Sequence, residues 1–161
     1  MKNSIKVGMA DYKLGKDGDI LVTLGLGSCV GIVIYDKFKK IAGMAHIMLP
    51  SSKEIRNNLN KAKFADTAIE YMLNDIINAG GSKSSLIAKI AGGAQMFKIA
   101  SANESLNIGK RNVMAVKQVL SELRIPIIAE DVLGNYGRTI EFDCSTGDLT
   151  IKAIGKEKKV I

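Results

Sequence analysis

Apolar, β-branched-rich runs dominate the first fifty residues, whereas helical periodicity sets in only after residue 60. Residues 23–50 read T-L-G-L-G-S-C-V-G-I-V-I-Y-D-K-F-K-K-I-A-G-M-A-H-I-M-L-P, two uncharged runs about a polar centre at 36–40. That pattern predicts a β-hairpin. A turn centred there pairs Tyr35 with Lys40 and Val33 with Ala42, and the same count sets Cys29 directly opposite His46. Asp17-Gly18-Asp19 predicts a turn before a strand at 20–26, and residues 51–60 predict a mobile polar connection bordering a site. Phe64, Ala65, Ala68, Ile69, Met72, Leu73 and Ile76 recur at helical spacing within a helix at 61–79. Gly80-Gly81 closes it.

A buried strand at 86–91 and a backbone bend at 92–96 come next. A second helix over 107–124 turns Val113, Val116, Val119, Leu120 and Leu123 inward and stops before Pro126. Strands at 125–130, 138–144 and 149–154 complete the chain, with turns at 135–137 and 145–148. Two helices among about seven strands predict one α+β domain over residues 1–161, layered from mixed or antiparallel sheets.

Composition narrows the setting. With 47% hydrophobic but only 5% aromatic residues and no Trp, the core packs aliphatically. Two cysteines in 161 residues make no disulfide framework and fit a reducing cytoplasm. The first residues lack the apolar centre of a signal peptide. The uncharged stretch 20–35 is too short for a bilayer, which takes about 20 residues. A net charge of +7 favours an acidic partner. The basic residues are dispersed and not interleaved with aromatics, which argues against nucleic acid.

The chemistry concentrates in the hairpin. Gly25 and Gly27 follow a strand, but Val30 stands where a dinucleotide loop needs its third glycine, and no P-loop lysine is present. One His, two distant cysteines and no clustered carboxylates offer no metal site. Ser28 lacks the glycine frame of a nucleophile elbow. Cys29 is the better nucleophile, because even a modest lowering of a thiol from about 8.5 yields thiolate at neutral pH. A buried Cys and a core His are the bland alternatives. Against them stand the glycines before Cys29, the opposed register of His46, and Thr23, which can accept the second imidazole N–H. Cys144 has no histidine to serve it and reads as structural.

The run G-L-G-S-C-V and the run G-M-A-H-I-M-L-P around His46 resemble the CheD family of chemoreceptor glutamine deamidases. Val7-Gly8-Met9 with Asp11, Lys63-Phe64-Ala65-Asp66, Gly92-Gly93-Ala94-Gln95-Met96, Ile108-Gly109-Lys110-Arg111-Asn112-Val113, Gly137-Arg138 and Thr146-Gly147 match its pattern in order. The resemblance implies a three-layer α+β sandwich similar to the deamidating toxins. It also implies a cysteine hydrolase with Cys29 as nucleophile, His46 as base, Thr23 as orienting residue, and an oxyanion site at Gly27 and Ser28, with no cofactor. Implied partners are methyl-accepting chemotaxis receptors, whose selected glutamines become glutamate and whose methyl esters some members hydrolyse, and a CheC-type phosphatase. A regulatory binder without catalysis, or a cysteine amidase with another substrate, are the alternatives. Leu133 departs from the pattern, which favours Gly there, and puts a turn in question.

Overall fold

The computed structural model describes residues 2–97 and 107–161. Among these, two α-helices and ten strands form two five-stranded sheets. The strands are β1 (Asn3–Lys6), β2 (Asp11–Lys16), β3 (Asp19–Leu26), β4 (Val30–Asp36), β5 (Ile41–Ile47), β6 (Leu86–Gly92), β7 (Ile127–Val132), β8 (Arg138–Asp143), β9 (Leu149–Lys152) and β10 (Lys159–Val160). The helices are α1 (Ala65–Asn78) and α2 (Ile108–Glu122). One sheet runs β1-β3-β8-β9-β10 and the other β2-β5-β4-β6-β7, both of mixed direction.

The layering follows from side-chain alternation. On β4, Val30, Ile32 and Ile34 meet Ala68, Met72, Val116 and Leu120 of the two helices. Val33 and Tyr35, on the opposite face, meet Leu21, Ile140 and Phe142 of the other sheet. Every residue of β4 is therefore buried, which is why its sequence is a continuous apolar run rather than an alternating one. Helices, inner sheet and outer sheet make three layers, the expected α+β sandwich.

Several local expectations change. Two strands, β1 and β2, lie before the Asp17-Gly18-Asp19 turn, where the sequence pattern predicts no element. The first helix starts at Ala65, after a 3₁₀ turn over Lys61–Lys63. The 51–60 connection is tied down. Ser52 bonds Asp66 through its N–H and hydroxyl, and Arg111 reaches both carboxylate oxygens of Glu54 at 2.8 Å.

The hairpin register also differs. β4 and β5 pair Tyr35 with Ala42, Asp36 with Ile41 and Gly31 with His46. Asp36 is not a turn residue. It is fully buried, and its carboxylate accepts the N–H groups of Phe38, Lys39 and Ser82. The turn therefore lies one residue later, with Lys40 at φ 54. This moves each partner by two positions, which keeps every side chain on its expected face.

Candidate active site

Thr23 and His46 meet between the two sheets, and Cys29 lies in the same inter-sheet core just before β4. Thr23 projects from β3 toward the inner sheet, on the face shared by Leu21, and is fully buried. His46 projects back from β5, 1% exposed. Cys29 lies just before β4, 8% exposed and packed with Leu26 and Ala91 of the inter-sheet core. Continuing the observed register sets Met48 across from Cys29, so His46 is its diagonal neighbour and not its direct partner. Diagonal pairs on one face lie about 7–8 Å apart between backbones, within reach of an imidazole. Gly31, directly opposite His46, puts no side chain between them.

The hydroxyl of Thr23 fixes the tautomer. It donates its one proton to the Val7 carbonyl at 2.8 Å and contacts His46 Nδ1 at 2.7 Å. With its proton committed, the hydroxyl accepts from His46, so Nδ1 carries the hydrogen and Nε2 carries the lone pair. That Nε2 is buried without a hydrogen-bond partner among the described residues. Asp11 pairs with His46 across β2, but its carboxylate turns to the Tyr12 N–H and Lys13 Nζ. A neutral hydroxyl, not a carboxylate, orients this imidazole.

Burial pushes the Cys29 thiol up from its ordinary value and the His46 imidazole down. Both groups therefore rest uncharged, against the expectation of a lowered thiol.

The loop before Cys29 is held by its carbonyls. Ala94 N–H donates to Gly27 O and Gly93 N–H to Cys29 O, both at 2.8 Å. Gly92 permits this approach: at φ 110, a Cβ there would lie 2.3 Å from Cys29 O. The Gly27 N–H is already given to Gly25 O at 3.0 Å, so Gly27 offers no free donor. Among the described residues, neither Ser28 nor Cys29 N–H donates to another backbone carbonyl. A cavity of about 440 Å³ opens beside Ser28, walled by Met96, Phe97 and Ile108. Leu133 adopts φ 70 next to Gly134 at φ 77. Their turn bonds Gly92 O and Gln95 N, the segment that braces the Cys29 loop. Val7 and the 92–94 brace act through backbone atoms, so residue type did not reveal them. Cys144 is fully buried, pushed up to about 12 by burial and nearby carboxylates, Asp19 first among them.

A thiol, an oriented imidazole with a free basic nitrogen, and backbone donors at the edge of an α+β sandwich are the groups a cysteine hydrolase uses. The family model described as CheD chemotactic sensory transduction matches residues 48–153. A protein of Lachnoclostridium phytofermentans named "Probable chemoreceptor glutamine deamidase CheD" is 55% identical over 161 residues, covering all of both chains. One of Halalkalibacterium halodurans, "Chemoreceptor glutamine deamidase CheD", is 51% identical over 162 residues and also covers both completely. A third, from Caldanaerobacter subterraneus subsp. tengcongensis, is 54% identical over 98% of this chain and 97% of its own. The chain belongs to the CheD family.

Proposed function

We propose that this protein hydrolyses the side-chain amide of selected glutamines in methyl-accepting chemotaxis receptors, giving glutamate and ammonia. The observation that carries the reading is the committed Thr23 hydroxyl, which leaves His46 Nε2 a basic nitrogen without a partner among the described residues, on the sheet face that Cys29 shares. The names of the full-length relatives supply the substrate class.

Cys29 is the nucleophile. As Sγ attacks the carboxamide carbon, its proton passes to His46 Nε2. Because burial disfavours both charges, transfer accompanies attack rather than preceding it. The N–H groups of Ser28 and Cys29 receive the oxyanion, one such donor being worth about 3 kcal/mol. The imidazolium then protonates the departing nitrogen, ammonia leaves, and a thioester remains. His46 next takes a proton from water, whose oxygen attacks the thioester and releases glutamate and the thiol. Thr23 holds the ring throughout. The same sequence accepts a glutamyl methyl ester, with methanol leaving instead of ammonia.

The net charge of +7 suits Glu- and Gln-rich receptor helices. Both cysteines are free thiols, in keeping with a cytoplasmic location. No helix among the described residues is long and apolar enough to cross a membrane. A CheC-type phosphatase is a second proposed partner, on the family resemblance. Mass spectrometry of a receptor co-expressed with this protein tests the reading: specific glutamines gain the mass difference of acid over amide. A receptor left unmodified would refute it.

A further inference from the structure

α2 carries one fully buried polar side chain, Asn112. Its Nδ2 donates to Ser28 O and to Met48 O, each at 2.9 Å. Ser28 precedes Cys29, and Met48 lies two residues beyond His46. The β4–β5 ladder ends at Val30 and Ile47, so the asparagine amide supplies the next rung between the two chains.

The bond to Ser28 has a directional consequence. In a trans peptide the carbonyl of one residue and the N–H of the next point opposite ways. Gly27 O is held by Ala94 N–H, Ser28 O by Asn112 and Cys29 O by Gly93 N–H. Three consecutive carbonyls are thus drawn to fixed partners. Holding Gly27 O aims the Ser28 N–H away from Ala94, and holding Ser28 O aims the Cys29 N–H away from Asn112. We propose that Asn112 is a positioning residue for the oxyanion site: it orients the Ser28–Cys29 peptide so that the Cys29 N–H faces the reacting carbonyl, and it locks that peptide to the strand end beyond His46.

The rest of Asn112 fits this role. Both amide hydrogens are used, which fixes the orientation of the carboxamide, and its Oδ1 is buried without a partner among the described residues. The orphaned acceptor costs stability, which is set against the two carbonyls the amide satisfies. Gly109, one turn earlier, brings α2 close enough for the contact. A Cβ there would lie 2.3 Å from Ala94 O.

The inference rests on the proposed Cys29–His46 chemistry, and its test separates the two. Asn112→Leu keeps the branched shape, with somewhat more bulk, and removes both donors. With receptor as substrate, kcat is expected to fall about 10²-fold while KM stays within about two-fold, as for loss of an oxyanion donor. Alkylation of Cys29 by iodoacetamide, read at its own peptide, needs the thiol and its base but no oxyanion site. Its rate and pH profile are expected to match the parent protein. A folded variant with unchanged kcat, a change confined to KM, or parallel losses of kcat and alkylation rate would each overturn the proposal. If the leucine variant does not fold, Asn112→Ala removes the donor pair without added bulk or charge and is read the same way. Full activity in Cys29→Ala would instead remove the underlying reaction, whatever Asn112 does.

Discussion

Thr23 and His46 share a 2.7 Å hydrogen bond whose direction is set by a third group, the Val7 carbonyl that takes the threonine proton. A backbone oxygen contributed by the loop between β1 and β2 thereby decides which imidazole nitrogen is basic.

Thr23→Val, nearly isosteric, removes the acceptor and leaves Nδ1–H unpaired in the core. Receptor deamidation should drop about 10²-fold, toward the low end of what a positioned base contributes. Thr23→Ser, which can keep both bonds, should stay within a few-fold of the parent. His46→Ala removes the base itself and should lose more than Thr23→Ala. Steady-state rates of ammonia release check the ranking, and an equal or greater loss for Thr23→Ala would reassign the two roles.

The pH dependence follows from buried, uncharged groups. His46 is held below its ordinary 6.5, so it remains a base at mildly acidic pH, and the acid limb of kcat/KM should lie below 6.5. Stability moves in the matching direction. As pH falls below 6.5 the unfolded chain takes up a proton that folded His46 resists, so stability is lost. Thermal unfolding should therefore decline less for His46→Gln than for the parent between neutral and mildly acidic pH. At the other end, Cys29 is held above its ordinary 9.0. Its contribution to stability is complete below that value and fades as pH rises past it. Iodoacetamide titration should show no thiolate inflection near neutrality.

Leu133 occupies the left-handed region at φ 70 and is 40% exposed. That conformation costs an L-residue about 1–2 kcal/mol, while glycine adds about 0.5–1 kcal/mol of chain entropy. Leu133→Gly is expected to stabilise the fold by up to about 1.5 kcal/mol, the difference between those effects. Urea titration of the two proteins measures it, and a destabilised glycine variant would show that the leucine side chain packs better than its exposure indicates.

Gly92→Ala probes the brace behind the nucleophile. The new methyl would collide with Cys29 O at 2.3 Å on a backbone already at φ 110. A stability loss of about 1–3 kcal/mol and loss of most activity are expected. Gly8→Ala is the control: nothing lies within 4 Å of a Cβ there, so its stability should change by less than about 0.5 kcal/mol.

Much of this arrangement is written in residue type. The apolar face of α1 and the central strands are read directly, because helical spacing and uninterrupted β-branched runs are local signals. Cys29 and His46 also stay on one face of their sheet after the shift in hairpin register, since a slip of two residues preserves the face. What escaped is what local pattern does not encode. β1 is largely exposed and β2 half-buried, and their pairing partners, β3 and β5, are set by tertiary contact. Asp36 looks like a turn residue until its carboxylate is found capping three N–H groups. The carbonyls of Val7, Gly27 and Cys29 act as backbone atoms, which no side-chain pattern marks.

Ammonia release from purified receptor by the Cys29→Ala protein tests the central claim most directly. With circular dichroism and receptor binding unchanged, the variant should release none above the receptor alone, while the parent converts its glutamines. Release at the parental rate would show that the sulfur takes no part in the reaction.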